Sequence, residues 1–211
     1  MWALIIPIIV LQFTPKQPAF LKPVIIYLIL AFILNLFADV ITDFKKVFHF
    51  PPWLQGNNPI YNLHSIVRLA CFSYFFISLN QIHFKILKTV LPIISCLFVI
   101  VVFTFFDNFF LVAHLSGKLL TGEAYLLLIY CMLYYLSKLS NEDDFATNEP
   151  SFWVVTGLSI YVVTNFFVYL FYVPMIHASR SLSINMWNVH NVSYIILCLF
   201  LSKAFYANHR N

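Results

Sequence analysis

Asn35, Asp39, Asp43, His64, Arg68, Glu123, Asn165, His190 and Asn191 interrupt the apolar stretches of this sequence, in which only 9% of residues are charged. An ionisable side chain in hydrocarbon costs about 2.5–3.5 kcal/mol on insertion scales, so each needs a partner, water or a function. Three chemistries are open to such a set. The first is hydrogen bonding between helices, which averages only about 0.6 kcal/mol per bond in membranes. The second is a buried ion pair: Arg68 cannot lose its proton, so its burial demands a carboxylate, either Asp39 or Glu123. The third is a zinc-type site drawn from His64, His190, Asp39 and Glu123, whose side chains are suitable ligands.

The elements that must position these residues follow from composition. The 211 residues are 62% hydrophobic and 19% aromatic, with 24 Phe, 12 Tyr and only 4 Gly. A water-soluble domain of this size has no interior large enough to hide so much apolar surface. Long apolar runs separated by short polar loops predict an all-α, multi-pass transmembrane bundle. The runs do not alternate at period two, which argues against a transmembrane β-barrel. Seven spans are expected, near 1–13, 23–41, 58–79, 86–106, 119–139, 151–173 and 186–205. They are expected to form one transmembrane domain over 1–211, with no soluble domain. The first run would extend only about 20 Å, short of a hydrocarbon core of about 30 Å. It lacks the positive n-region and small-residue cleavage site of a signal peptide, so a short first helix is expected; six helices span if it does not.

Orientation follows from the basic residues. Seven spans put Lys16, Lys22, Lys85, Lys88, Lys138, Lys203 and Arg210 on one side and Lys45, Lys46, Lys118 and Arg180 on the other. The richer side is expected to be cytoplasmic, which leaves the N-terminus outside, the C-terminus inside and the acidic run 141–149 in the cytoplasm. Trp53, Trp153 and Trp187 fall at span ends, where amphipathic rings prefer the headgroup level.

This topology gathers the polar residues. Asn35, Asp39 and Asp43 climb the second span at i, i+4, i+8, with Asp43 expected to be a solvated end residue. Tyr61, His64 and Arg68 share a face of the third, and Glu123 lies near the start of the fifth. Asn165 sits in the sixth between Tyr161 and Tyr169, and Trp187, His190, Asn191 and Tyr194 run along the seventh. Asp39, His64, Arg68, Glu123, Asn165, His190 and Asn191 are therefore expected to line a polar, outward-opening cavity in the outer half of the bundle. An Arg68–Asp39 or Arg68–Glu123 pair is predicted within it.

Other chemistry finds little support. The seven-helix hydrolases of lipid amides use several histidines and an acid. Here the seventh span pairs His190 with Tyr194 rather than with a second histidine, and His114 would have to complete the set. No P-loop, GxSxG or HExxH is present, and no motif calls for a cofactor. The net charge of +4 forms no basic stripe for nucleic acid. Cys71, Cys96, Cys131 and Cys198 stand singly within apolar runs and are expected to be small buried residues.

Three stretches carry a family likeness: Asn57-Asn58-Pro59-Ile60-Tyr61-Asn62-Leu63-His64, then Pro150-Ser151-Phe152-Trp153 leading to Gly157 and Ile160-Tyr161, and Met186-Trp187-Asn188-Val189-His190-Asn191. Together they resemble a group of uncharacterised bacterial seven-helix membrane proteins, common in Bacteroidota, of about this length. The resemblance implies a seven-helix fold in the inner membrane and brings no activity with it. Members often carry an acid at the position of Arg68.

The expected role is that of a receptor-like or accessory membrane protein rather than an enzyme. Its partners would be the lipid bilayer and a cytoplasmic or membrane protein, with a homo-oligomer compatible with the sequence. The alternatives are a small transporter or channel, including a membrane-depolarising accessory defence effector, and a metal-dependent intramembrane lipid hydrolase.

Overall fold

The apolar runs form seven α-helices in the computed structural model, which describes residues 2–44, 51–79, 84–110, 115–140 and 149–207. They are α1 (Ile5–Phe13), α2 (Lys22–Phe44), α3 (Asn58–Ser78), α4 (Lys85–Val101), α5 (Gly117–Ser140), α6 (Pro150–Ala178) and α7 (Arg180–Ala207). A π-helical turn, Val102–Phe106, extends α4, and no strand occurs among the described residues. Six helices are long and apolar enough to cross a membrane. Their outward faces suit hydrocarbon: Ile26, Ile29, Ile33 and Phe37 on α2 and Ile93, Leu97 and Ile100 on α4 are all exposed. Water does not tolerate an apolar surface of that extent.

The short first helix is a brace. Its apolar segment, Trp2–Phe13, falls below spanning length. It packs on α7, with Leu4 and Pro7 buried. Gln17 then fastens the two helix ends, since its amide nitrogen donates to the Thr14 carbonyl (2.8 Å) and to the Phe205 carbonyl (3.2 Å).

Neighbouring helices close a ring in the order α1, α2, α3, α5, α6, α7, with α4 outside against α3 and α5. Two ends of the bundle can be named by a residue at each. The Ser179 end holds the α2–α3, α4–α5 and α6–α7 connections, and the Gln17 end holds the other three. Toward the Gln17 end the core is apolar and rich in aromatic rings, filled by Phe72, Phe75, Phe76, Leu127, Tyr130, Leu197 and Leu201.

The α6–α7 pair departs from expectation. A loop is predicted between 173 and 186, yet α6 runs to Ala178 and α7 starts at Arg180. Ser179 alone makes the turn because it serves both helices. In extended conformation, it donates its N–H to the Met175 carbonyl (2.9 Å), while its own carbonyl accepts the Ser183 N–H (3.1 Å) and its Oγ the Leu182 N–H (3.4 Å). These bonds satisfy backbone groups that a helix end otherwise leaves open.

A one-residue turn sets the two helices in strict register, with residues equally distant from Ser179 facing each other. Asn165 meets Ser193 at 2.8 Å, each fourteen residues from the turn. Farther along, Gly157 lies under Phe200, where an added Cβ would stand 2.4 Å from the Phe200 Cβ. Gly157→Val should therefore cost about 1–3 kcal/mol by overpacking, read as a lowered midpoint of reversible unfolding in mixed micelles. Gly122→Ala should cost less, because its Cβ meets only the tip of the Phe98 ring, which can swing aside.

Candidate functional site

The polar cluster is assembled by two helix starts, those of α3 and α5, and by the α6–α7 hairpin. Asn57 fixes the entry to α3 by donating its side-chain amide to Thr42 Oγ1 near the end of α2 (2.7 Å). Pro59 occupies the first turn of α3, where the missing N–H is harmless. Ser116 caps α5, its Oγ accepting the Leu119 N–H (3.2 Å) and donating to Asp107 Oδ2 (2.5 Å). From these fixed starts Arg68 lies about 15 Å along α3 and Glu123 about 9 Å along α5, both from the Ser179 end.

There they meet. Arg68 is 3% exposed and Glu123 1%, so both are taken fully out of solvent. The guanidinium grips the carboxylate with two N–H groups, Nε to Oε1 and Nη2 to Oε2, the latter at 2.8 Å. Ser65 Oγ, one turn before Arg68, donates to the same Oε2. Such a paired geometry is the strong form of a charge-assisted bond. Without it the desolvation of either charge would cost several kcal/mol.

The network continues through two further helices. Arg68 Nη1 donates to the Tyr161 hydroxyl of α6 (2.5 Å), and the Tyr161 and Tyr169 hydroxyls lie 3.4 Å apart. The Tyr169 hydroxyl is 3.0 Å from His190 Nδ1 of α7, and that nitrogen is 2.6 Å from Asn165 Oδ1. Asn165 Nδ2 donates to Ser193 Oγ and to the Tyr161 carbonyl, both at 2.8 Å. On the other side Tyr27 of α2 shares a hydrogen bond with Tyr194 of α7 (3.3 Å) and stacks on His64 at 5.8 Å between centroids.

These groups enclose a cavity of about 20 Å³ lined by Tyr61, His64, Arg68, Leu115, Leu120, Tyr169, Trp187, His190 and Tyr194. It is far narrower than the open cavity expected from the sequence. The reason is aromatic packing at its Ser179 end, where Trp187 lies 6.2 Å from Tyr61 and 5.6 Å from Tyr172 between ring centroids.

Of the residues singled out in the sequence, His64, Arg68, Glu123, Asn165 and His190 come together. Asp39 does not. It is exposed, and it joins no ion pair or hydrogen bond among the described residues. A step of four residues turns a helix by about 40° beyond a full revolution, and the buried stripe of α2 follows Ala31, Asn35, Ala38 and Ile41. That stripe carries Asp39 and Asp43 outward, and Asn35 satisfies its own amide on the Ala31 carbonyl (2.7 Å). Asn191 is half-buried beside His190, with no polar contact among the described residues.

The four candidate metal ligands therefore do not converge, since Glu123 is committed to Arg68 and Ser65 while Asp39 faces outward. No group of three His, Cys, Asp or Glu suited to a metal ion occurs among the described residues, and His114 lies outside them. The cysteines also depart from expectation. Cys131 and Cys198 are buried, but Cys71 is half-buried and Cys96 exposed on α4, the helix outside the ring.

The sequence reading passed over Ser65, Ser193 and Tyr27. Ser65 carried a usable signal, standing one turn from Arg68 on the face of Tyr61. At the Gln17 end, Lys138 pairs with Glu149 at 2.9 Å, but Glu149 is 41% exposed, so this bridge stabilises little.

Removing one partner of the buried pair should be severe. Arg68→Gln strands the Glu123 carboxylate and is expected to cost about 3–5 kcal/mol, measured by unfolding in mixed micelles. Asp39→Asn, on the outward face, should shift the same transition by less than about 0.5 kcal/mol.

Compared with models of protein families, with curated proteins and with solved structures, the chain matches none.

Proposed function

We propose that this chain is a receptor-like or accessory protein of the inner, cytoplasmic membrane, with its N-terminus outside and its C-terminus inside. The Ser179 end then faces outward, in keeping with the excess of Lys and Arg toward the Gln17 end. A small polar ligand arriving between Tyr61 and Trp187 would act on the buried network, and the change in helix packing would pass to a partner.

The observation that supports this reading is the continuity of the network. One connected set of bonds runs from Glu123 and Arg68 through Tyr161 and Tyr169 to His190 and Asn165, so α3, α5, α6 and α7 share it. A ligand that favours a different arrangement of any member biases all four helices, and a shift needs only differential affinity for the two arrangements.

The apolar half favours sensing over conduction. A route from the cavity to the Gln17 end would have to pass Phe72, Phe75, Phe76, Leu127 and Leu201, all at most 1% exposed and none able to replace a hydration shell. Among the described residues no ligand set converges for the hydrolase reading.

The test uses a protein whose only tryptophan is Trp187, with Trp2, Trp53 and Trp153 replaced by Phe, held in lipid nanodiscs. Titration with a panel of small polar molecules should give a saturable change in Trp187 fluorescence that Arg68→Gln abolishes. Flux of ions or solutes through the intact protein in proteoliposomes, lost in Arg68→Gln and without any saturable fluorescence change, would contradict the proposal in favour of a transporter.

A further inference from the structure

The hydrogen-bond network fixes the protonation of His190. Ser193 donates its hydroxyl to the His190 carbonyl (2.8 Å), so its oxygen is free to accept from Asn165 Nδ2. The same amide nitrogen faces the Tyr161 carbonyl (2.8 Å), and the reverse orientation would set two acceptors against each other. Asn165 Oδ1 is therefore the atom that meets His190 Nδ1 at 2.6 Å, and Nδ1 must carry a proton to bond with it. In the neutral ring the lone pair then resides on Nε2. That nitrogen has no polar partner among the described residues, and its ring lines the cavity.

Other unspent groups converge on the same space. Arg68 has five N–H donors, of which three are engaged by Glu123 and Tyr161 and a fourth is within reach of Tyr169, leaving at least one. Tyr169 can only accept from a protonated Nδ1, so its own hydroxyl proton is left for Tyr161 or the cavity. His64 lines the cavity too, and its buried Nε2 has no partner. A buried polar atom left unpaired, as His64 Nε2 is, is costly unless water meets it. The ledger contains both acceptors and donors, within a volume of about 20 Å³.

We propose that this cavity is a binding site for a single water molecule, which donates to His190 Nε2, accepts an N–H of Arg68 and has His64 as its third partner. A cavity holds a water once it offers about 10–15 Å³ and two to four polar partners, and this one meets both conditions. Water can donate twice and accept twice. An ammonium ion of similar size has donors alone and would face the N–H groups of Arg68. The bound water links α3 to α7, which share no direct bond from Arg68 to His190. The proposal rests on the cavity's geometry and not on the receptor reading, so a protein that holds this water yet answers no ligand loses only the latter.

Solid-state NMR on the full chain in lipid bilayers, with nitrogen-15 in the histidine rings, tests it. His64→Gln and His190→Gln assign the two sets of signals. The expected result is a neutral His190 with its proton on Nδ1, and magnetisation transfer from water protons to both rings. Leu120→Phe, which fills the cavity from its apolar wall without replacing any polar side chain, should abolish that transfer and preserve the tautomer. A His190 proton on Nε2, no transfer from water in the unaltered protein, or undiminished transfer in Leu120→Phe would each overturn the proposal. If Leu120→Phe does not fold, the tautomer and the transfer in the unaltered protein decide the matter alone.

Discussion

The buried charge of Arg68 is the constraint on which the rest of this bundle depends. A guanidinium stays protonated even at the centre of a helix bundle, so it must be given a counter-charge at hydrogen-bonding distance. Glu123 supplies it, and the two-pronged contact sets the rotation of α3 against α5 as well as their depth. Ser65 then donates to the carboxylate, and Tyr161 accepts one further N–H of the guanidinium. A buried pair of this kind contributes little net stability compared with apolar packing, but its loss on one side is costly. Its effect is to specify one arrangement of helices.

The α6–α7 hairpin extends that specification to the far wall of the site. Because Ser179 alone forms the turn, the register of the two helices admits almost no slippage, and Gly157 lets them close where Phe200 crosses. Tyr161, Asn165 and Tyr169 are thus held opposite His190 and Ser193. The bundle divides into a polar half, where orientation is set by hydrogen bonds, and an apolar half, where it is set by Phe and Leu packing. A change at the polar end has a rigid body to act upon.

Much of this was legible in the sequence. Apolar run lengths placed the helices, and counting helical steps from the span ends brought His64, Arg68, Glu123, Asn165 and His190 to one depth. The choice between Asp39 and Glu123 was not legible. Both acids lie at a suitable depth, and only the adjacency of α3 and α5, together with the rotation of α2, separates them. Asp39 follows Asn35 by four residues, yet the buried stripe advances by three at that point. The size of the cavity was also beyond reach, because it is decided by how Tyr61, Tyr172 and Trp187 fit together across its end. Ser193 was invisible for a simpler reason. A serine in an apolar helix reads as a small residue until its partner is known.

The central claim is that Arg68 and Glu123 act as one unit, and a double-mutant cycle measures it most directly. Arg68→Gln, Glu123→Gln and the double variant would be compared by reversible unfolding in mixed micelles. A coupling within the upper part of the range of about 0.5–3 kcal/mol seen for contacting residues is predicted, with the double variant losing clearly less than the sum of the two single losses. Losses that simply add, with no coupling, would contradict the account.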